Sequence, residues 1–249
     1  MGGMAQPLET WEPMARALSK TRNVLLLEPL GIGRSSSSSI SYSLADQASA
    51  VCDKLPSNGP MDFVGFSLGA RILLTVALLP TTQQSIRKIH LTGISVQRSR
   101  MAQVAMKHWI ELLLCENWQS FGWSLLQMTF SSHYLSNQPP GKIQQWIHQL
   151  EQGNIASELL QVLQETPMDG ILLPTTSTTT ITNTGTISIP RGTLLVGEKD
   201  GMAPPEYASI LAQQCGWDNP TILPNVGHAL PFECPREWRN HVLTYLDAP

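Results

Sequence analysis

Three residues of the sequence carry side chains that can act together in nucleophilic catalysis. Ser67 lies in the run G-F-S-L-G-A-R, Asp200 in G-E-K-D-G-M-A-P-P and His228 in V-G-H-A-L-P. A serine hydroxyl is a weak nucleophile unless a base removes its proton, and a histidine oriented by a carboxylate can serve as that base. Glu198 is a second carboxylate near Asp200 and the alternative partner for the histidine. The chemistry requires that folding bring these side chains together.

The spacing of apolar residues predicts which elements hold the three side chains in place. Strands are expected at residues 24–30, 61–66, 86–96, 193–196 and 221–224. Helices are expected at residues 43–55, 68–79, 203–214 and 235–246. Strands that alternate with helices indicate a mostly parallel sheet with helices on both faces, so the predicted fold class is α/β.

Each of the three residues follows a predicted strand. Ser67 falls at a sharp turn between a strand and a helix, and Gly65 and Gly69 let these two elements approach closely. Because the carboxyl ends of parallel strands lie at one edge of a sheet, we expect Ser67, Asp200 and His228 to converge there. A plain turn at Ser67 or Asp200, and a core position for His228, are the structural alternatives.

Residues 97–185 interrupt the alternation of strands and helices, because apolar residues recur there at helical spacing. Helices are expected at residues 101–113, 118–130, 143–150 and 155–163. Residues 175–186 are mostly Thr, with Ser, Asn and Gly, and predict a surface loop. The predicted domains are therefore an α/β core of residues 1–96 and 186–249 and a helical insertion with a Thr-rich loop at residues 97–185.

Several side chains of this insertion have two interpretations. Four tryptophans are expected to form its core, with the walls of a substrate pocket as the alternative: Trp109, Trp118, Trp123 and Trp146. Arg98 and Arg100 are interpreted as a solvated basic turn, and contact with an anionic substrate is the alternative.

The composition favours a globular protein with a small-molecule partner. Apolar residues make up 42% of the chain and charged residues 14%, and the net charge of −3 argues against binding to nucleic acid or an anionic membrane. The longest apolar run, residues 72–79, is too short to span a bilayer, and residues 1–20 lack the features of a secretory signal. We predict a cytoplasmic protein, with organelle targeting as the alternative if residues precede Met1; the oligomeric state is left open.

The four cysteines are far apart, with no Cys-x-x-Cys pair and no histidine at metal-ligand spacing. Reduced thiols are therefore expected. A dinucleotide-binding turn is not predicted at Gly31 and Gly33, because the third glycine of that motif is missing. We expect no metal ion and no organic cofactor.

Four dispersed stretches resemble the α/β-hydrolase superfamily. They are L-E-P-L-G-I-G-R-S at residues 27–35, G-F-S-L-G-A-R at 65–71, G-E-K-D-G-M-A-P-P at 197–205 and V-G-H-A-L-P at 226–231. The candidate residues occur in the order Ser, Asp, His, which is also the order in that superfamily. The resemblance covers nearly the whole chain outside the insertion, which corresponds to a helical cap.

The resemblance implies a role for each residue. Ser67 corresponds to the nucleophile, His228 to the general base and later general acid, and Asp200 to the group that orients the imidazole. The backbone N–H groups of Leu68 and Met4 correspond to the two donors of the oxyanion hole.

In the same superfamily, further strands come before the loop that carries the second oxyanion donor. Here that loop corresponds to G-G-M, which begins at Gly2 and stands a similar distance before Trp11. We therefore expect the N-terminal strands of the usual sheet to be missing, which leaves an unprotected edge and a loosely anchored oxyanion loop.

We predict a serine hydrolase that cleaves a small, hydrophobic ester, thioester or related acyl compound through an acyl-enzyme. G-F-S-L-G-A-R is also similar to the corresponding run of the menaquinone-pathway lyase that eliminates pyruvate, so a lyase with the same three residues is one alternative. A binding protein without catalytic activity on a hydrolase scaffold is another.

Overall fold

The computed structural model describes residues 1–35, 41–56, 59–139, 141–169 and 189–249. The described residues form one parallel four-stranded sheet in the order β1 (Met61–Phe66), β2 (Ile86–Thr92), β3 (Gly192–Gly197) and β4 (Thr221–Leu223). They also form the α-helices α1 (Leu8–Leu18), α2 (Leu44–Cys52), α3 (Leu68–Ala77), α4 (Arg100–Leu114), α5 (Trp118–Thr129), α6 (Ser132–Ser136), α7 (Lys142–Gln152), α8 (Ala156–Glu165), α9 (Pro205–Cys215), α10 (Leu230–Glu233) and α11 (Pro235–Asp247).

Helices cover both faces of the sheet, as the sequence predicts. Leu195 of β3 packs in a cluster with residues of α1 and α11, whereas Leu194 and Val196 belong to a larger cluster with residues of α3 and α9. Neighbouring residues of a strand point to opposite faces, so the two clusters lie on opposite sides of the sheet. The α/β class is confirmed.

Helix α3 forms the centre of the larger cluster. Nine of its ten residues are buried, because α3 packs against β1 and β2 on one side and α2 on the other. Ser43 begins α2 as an N-cap whose hydroxyl accepts a hydrogen bond from the N–H of Asp46 at 3.3 Å. Helix α3, which follows Ser67, is thus packed between the sheet and α2.

The strand predicted at residues 24–30 is wrong. No described strand covers this segment, and Val24 and Leu25 are 37% and 55% exposed. The free edge of β1 is occupied instead by the backbone of Met1, which donates to the carbonyl of Val64 at 2.8 Å and accepts from the N–H of Phe66 at 3.1 Å. An apolar run becomes a strand only where a neighbouring strand has free backbone N–H and C=O groups. Met1 already occupies those groups at the free edge of β1.

Two boundaries near the sheet also differ from the prediction. Strand β2 ends at Thr92 rather than at residue 96, because Gly93 adopts a left-handed conformation with φ of +63°. Helix α1 was not expected; its Trp11 is buried against the rings of Phe66 and Trp238.

Helices α4, α5, α7 and α8 lie in the predicted insertion and pack on one another. The Thr-rich stretch at residues 175–186 lies outside the described residues, and the division into core and insertion remains a prediction. No helix within the described ranges has both the length and the apolar character required to cross a membrane.

Candidate active site

Ser67 lies in a strained turn between β1 and α3. Its backbone has φ of +51° and ψ of −116°, a conformation that residues other than glycine rarely adopt. A Cβ atom on Gly65 would lie 2.7 Å from Cα of Ala70, and one on Gly69 would lie 2.3 Å from the carbonyl oxygen of Gly2. The strand, the helix and the N-terminal segment meet so closely that only glycine fits at both positions.

The side chains of Ser67, His228 and Asp200 form a hydrogen-bonded chain. Nε2 of His228 lies 2.9 Å from Oγ of Ser67. Nδ1 of the same ring lies 2.9 Å and 3.0 Å from the two carboxylate oxygens of Asp200. His228 is 5% exposed and Asp200 is 2% exposed, so these contacts are shielded from water. The convergence expected from the sequence is observed.

The loop after β3 holds the carboxylate of Asp200. One of its oxygens accepts hydrogen bonds from the N–H groups of Met202 at 2.9 Å and Ala203 at 2.7 Å. The Asp200-Gly201 pair is therefore a turn as well as the partner of His228. Glu198 accepts from the N–H of Asn225 at 2.8 Å, whereas Asp200 is the carboxylate that contacts the imidazole.

The two predicted oxyanion donors border the same cavity as Ser67. Leu68 is the first residue of α3, and N–H groups in the first turn of a helix have no partner within the helix. Met4 follows a segment that is fixed to the turn, since the N–H of Gly69 donates to the carbonyl of Gly2 at 2.9 Å. The role of both N–H groups stays a prediction.

A cavity of about 920 Å³ opens above Ser67 and His228. Its walls are largely apolar, and the insertion contributes Met106, Trp109, Leu125, Phe130, Tyr134 and Trp146, among other residues, to the lining. Ligand cavities of this size accept a whole small molecule.

Three aromatic rings of this wall are nearly parallel. Phe130, Tyr134 and Trp146 have centroids 5.3 to 6.2 Å apart and interplanar angles of 8° to 18°. The expected core role is confirmed for Trp109, which is 2% exposed, and is wrong for Trp123, which is 46% exposed. Trp146 belongs to the cavity wall, which was the alternative interpretation.

Two arginines lie near each other without an acidic partner among the described residues. Arg71 is 4% exposed, and its Nη1 atom has no hydrogen-bond partner within the described ranges. Burial, and then the charge of Arg98, lower the pKa of Arg71. Arg98 lines the cavity, and burial lowers its pKa to about 10. Arg98 is half-buried at the cavity, so the interpretation as a solvated turn holds only in part for this residue, whereas Arg100 is exposed.

The sequence analysis did not single out Arg71, although this residue lies one helical turn after Ser67 in the same quoted run. Its burial depends on the packing of α3, which the run itself does not specify. In the part of the chain that the structure describes, no group of three His, Cys, Asp or Glu side chains is arranged to hold a metal ion.

Comparisons with known proteins identify the family to which the chain belongs. A family model described as "alpha/beta hydrolase family" matches residues 3–240. A search of curated proteins found no match. Among solved structures, an α/β hydrolase enzyme from a Medee basin deep-sea metagenome library is similar with a TM-score of 0.82 and 18% identity, covering 100% of this chain and 88% of that one.

Two further structures with the same fold carry more specific names. An esterase from Exiguobacterium antarcticum matches with a TM-score of 0.76 and 19% identity, over 99% of this chain and 90% of the other. An enol-lactonase from Burkholderia xenovorans matches with a TM-score of 0.76 and 16% identity, over 99% and 89%. At such identities the likeness concerns the fold. Together with the family match over nearly its full length, it establishes that this chain belongs to the alpha/beta hydrolase family.

Proposed function

We propose that the protein is a serine hydrolase that cleaves a small ester, thioester or related acyl compound through an acyl-enzyme on Ser67. The observation that carries the proposal is the distance of 2.9 Å between Oγ of Ser67 and Nε2 of His228. A hydroxyl at this distance can transfer its proton to the ring as it attacks a carbonyl carbon. Asp200, on the other side of the ring, stabilises the imidazolium that forms.

The reaction proceeds in two halves. Oγ of Ser67 bonds to the carbonyl carbon, and the N–H groups of Leu68 and Met4 stabilise the negative oxygen of the tetrahedral intermediate. His228 then donates its proton to the leaving alcohol or thiol, and the acyl group stays on Ser67. A water molecule that loses a proton to His228 attacks the acyl-enzyme, and the acid leaves as the serine hydroxyl is restored.

The cavity supports a hydrophobic substrate. Its aromatic wall offers a flat apolar surface to an acyl chain or a ring, and the volume of about 920 Å³ suits a small molecule. Among the structural neighbours, the names of an esterase and an enol-lactonase are in keeping with ester cleavage.

A specific observation favours a second candidate, the lyase that eliminates pyruvate. Arg98 lines the cavity and Arg71 lies near Arg98, and neither arginine has an acidic partner among the described residues. A carboxylate on the substrate would supply the missing negative charge. In that reaction His228, with Ser67, removes a proton from the substrate and pyruvate departs as the leaving group.

A fluorophosphonate probe tests the proposal directly, because it labels a serine only when a neighbouring base activates it. We expect labelling of the wild type and none of Ser67→Ala. A folded wild-type protein that is not labelled would contradict the hydrolase and favour a binding protein without catalytic activity. Esters of increasing chain length, assayed beside an assay for pyruvate release, separate the hydrolase from the lyase.

A further inference from the structure

Glu233, at the end of α10, connects two segments that are distant in sequence. One of its carboxylate oxygens accepts hydrogen bonds from the N–H of Gly227 and from the N–H of Ser131, both at 3.0 Å. The other oxygen accepts from the hydroxyl of Ser131 at 2.5 Å. Gly227 directly precedes His228, and Ser131 directly follows Phe130 of the cavity wall. A single side chain therefore joins the loop of the proposed base to the proposed substrate wall.

The two segments are in tight contact around this carboxylate. A Cβ atom on Gly227 would lie 2.6 Å from the backbone nitrogen of Ser131, so the chains pass with no room for a side chain. The N–H of Ala229 also donates to the carbonyl of Thr129 at 2.8 Å. These contacts therefore involve the residues directly before and after His228 and the residues directly before and after Phe130.

The carboxylate of Glu233 is the hydrogen-bond acceptor for the N–H groups of Gly227 and Ser131. Ser131 is 5% exposed, and without Glu233 its N–H would lose a partner that water reaches poorly. The hydroxyl of Ser131 also accepts from the N–H of Tyr134 at 3.1 Å, as the N-cap of α6. Loss of the carboxylate therefore affects the start of α6 as well as the His228 loop.

We propose that Glu233 is a positioning residue that holds His228 at the distance from Ser67 at which it can act as a base, and at the same time fixes Phe130 in the substrate wall. It acts through Gly227 and Ser131 and does not contact the reacting atoms. The proposal rests on the proposed function for its catalytic consequence. The holding of the two segments is a physical property that can be measured without any substrate.

The first measurement is hydrogen–deuterium exchange of the segments 226–233 and 129–134. In Glu233→Ala we expect faster exchange of both segments, because their shared acceptor is gone. Glu237→Gln is the matched control: it removes the charge of an exposed glutamate in the first turn of α11 and is expected to leave exchange unchanged. Exchange in Glu233→Ala that equals the control would overturn the proposal, whether or not the protein is an enzyme.

The second measurement is the rate and pH profile of fluorophosphonate labelling of Ser67. A displacement of the base by about 1 Å costs on the order of 100-fold, which is the loss expected for Glu233→Ala at unchanged circular dichroism. Glu233→Gln should recover most of the rate, because its amide oxygen can still accept the two N–H groups while its amide nitrogen donates to the Ser131 hydroxyl. A folded Glu233→Ala protein with faster exchange but the labelling rate and pH profile of the control would reduce Glu233 to a purely structural role.

Ser131→Ala keeps the test decisive if Glu233→Ala does not fold. This variant removes one of the three donors to the carboxylate and leaves the bond to Gly227 in place. We expect a smaller loss of labelling rate than for Glu233→Ala, together with faster exchange of residues 129–134. If Ser131→Ala matches Glu237→Gln in both exchange and labelling, the proposal is wrong. If the wild type is not labelled at all, the hydrolase proposal fails, and exchange alone decides on the positioning.

Discussion

The turn that carries Ser67 and the loop that carries His228 are held in place by different means. The turn is built from neighbours in the sequence: β1 enters it, α3 leaves it, and both of its glycines lie two residues from Ser67. The loop is held by the carboxylate of Glu233, whose partner Ser131 lies 102 positions away in the sequence. The turn also has backbone contacts with Gly2 and Thr92, but its strained conformation arises where adjacent elements join, whereas the proposed base depends on a side chain that links distant segments.

The largest effect is expected for Asp200→Asn, which replaces the carboxylate in contact with His228. The amide oxygen of Asn can still accept from the N–H groups of Met202 and Ala203, so the protein should fold. The amide nitrogen then faces Nδ1 of His228 and favours the tautomer with the proton on Nε2, which cannot accept the proton of Ser67. We expect kcat on an ester to fall on the order of 10⁴-fold at an unchanged melting temperature. Activity near that of the wild type would contradict the role of Asp200.

In the turn that carries Ser67, a substitution at Gly69 should lower the stability of the folded protein. Gly69→Ala puts a methyl group 2.3 Å from the carbonyl oxygen of Gly2, and a backbone atom cannot swing away as a side chain can. We expect the free energy of unfolding, measured by urea denaturation, to fall by about 3 kcal/mol.

Gly201→Ala is the matched control in the Asp200 loop. A methyl group there would contact only the end of the Met128 side chain, at 3.9 Å. Its free energy of unfolding should stay within about 0.5 kcal/mol of the wild type. Equal losses in the two variants would show that the turn is no more tightly packed than the loop.

The same contrast explains which parts of the structure could be predicted from the sequence. β1 was predicted at its observed bounds and α3 to within two residues of its end, because the apolar run and the two glycines specify them locally. Ser67, Asp200 and His228 could be ordered along one sheet edge because each follows a strand. Glu233 was missed, since its partners lie outside the run that contains it, and Arg71 was missed because only packing makes its guanidinium buried.

A change of pH tests the scaffold that both regions share. His90 of β2 is fully buried, with its Nε2 atom 2.9 Å from Nδ1 of His241. Burial, and then His241, lower the pKa of His90 to about 3, and burial lowers the pKa of His241 as well. The unfolded state therefore binds more protons than the folded state between about pH 6.5 and pH 3, and stability falls as the pH decreases through this range.

From pH 7 to pH 5 we expect the free energy of unfolding to fall by about 2 kcal/mol on account of His90. The measurement is urea denaturation at the two pH values. His90→Leu should show a weaker dependence on pH than the wild type, while its stability at pH 7 can be lower because the bond to His241 is lost. An unchanged dependence in this variant would mean that other groups control the acid response.

The smallest effect is expected in the cavity wall, which lies next to the His228 loop without belonging to it. Trp146→Leu removes one of the three nearly parallel rings. A contact between two aromatic rings is worth about 0.5–1.5 kcal/mol. We therefore expect KM for a hydrophobic ester to rise by roughly tenfold at unchanged kcat. Trp123→Leu is the matched control, because this tryptophan also lies in a helix of the insertion, α5, but is 46% exposed and does not line the cavity. A fall in kcat for Trp146→Leu would mean that the wall also positions the base, so that substrate binding and catalysis depend on the same contacts. A change in KM alone would assign Trp146 to substrate binding and leave the positioning of His228 to Glu233.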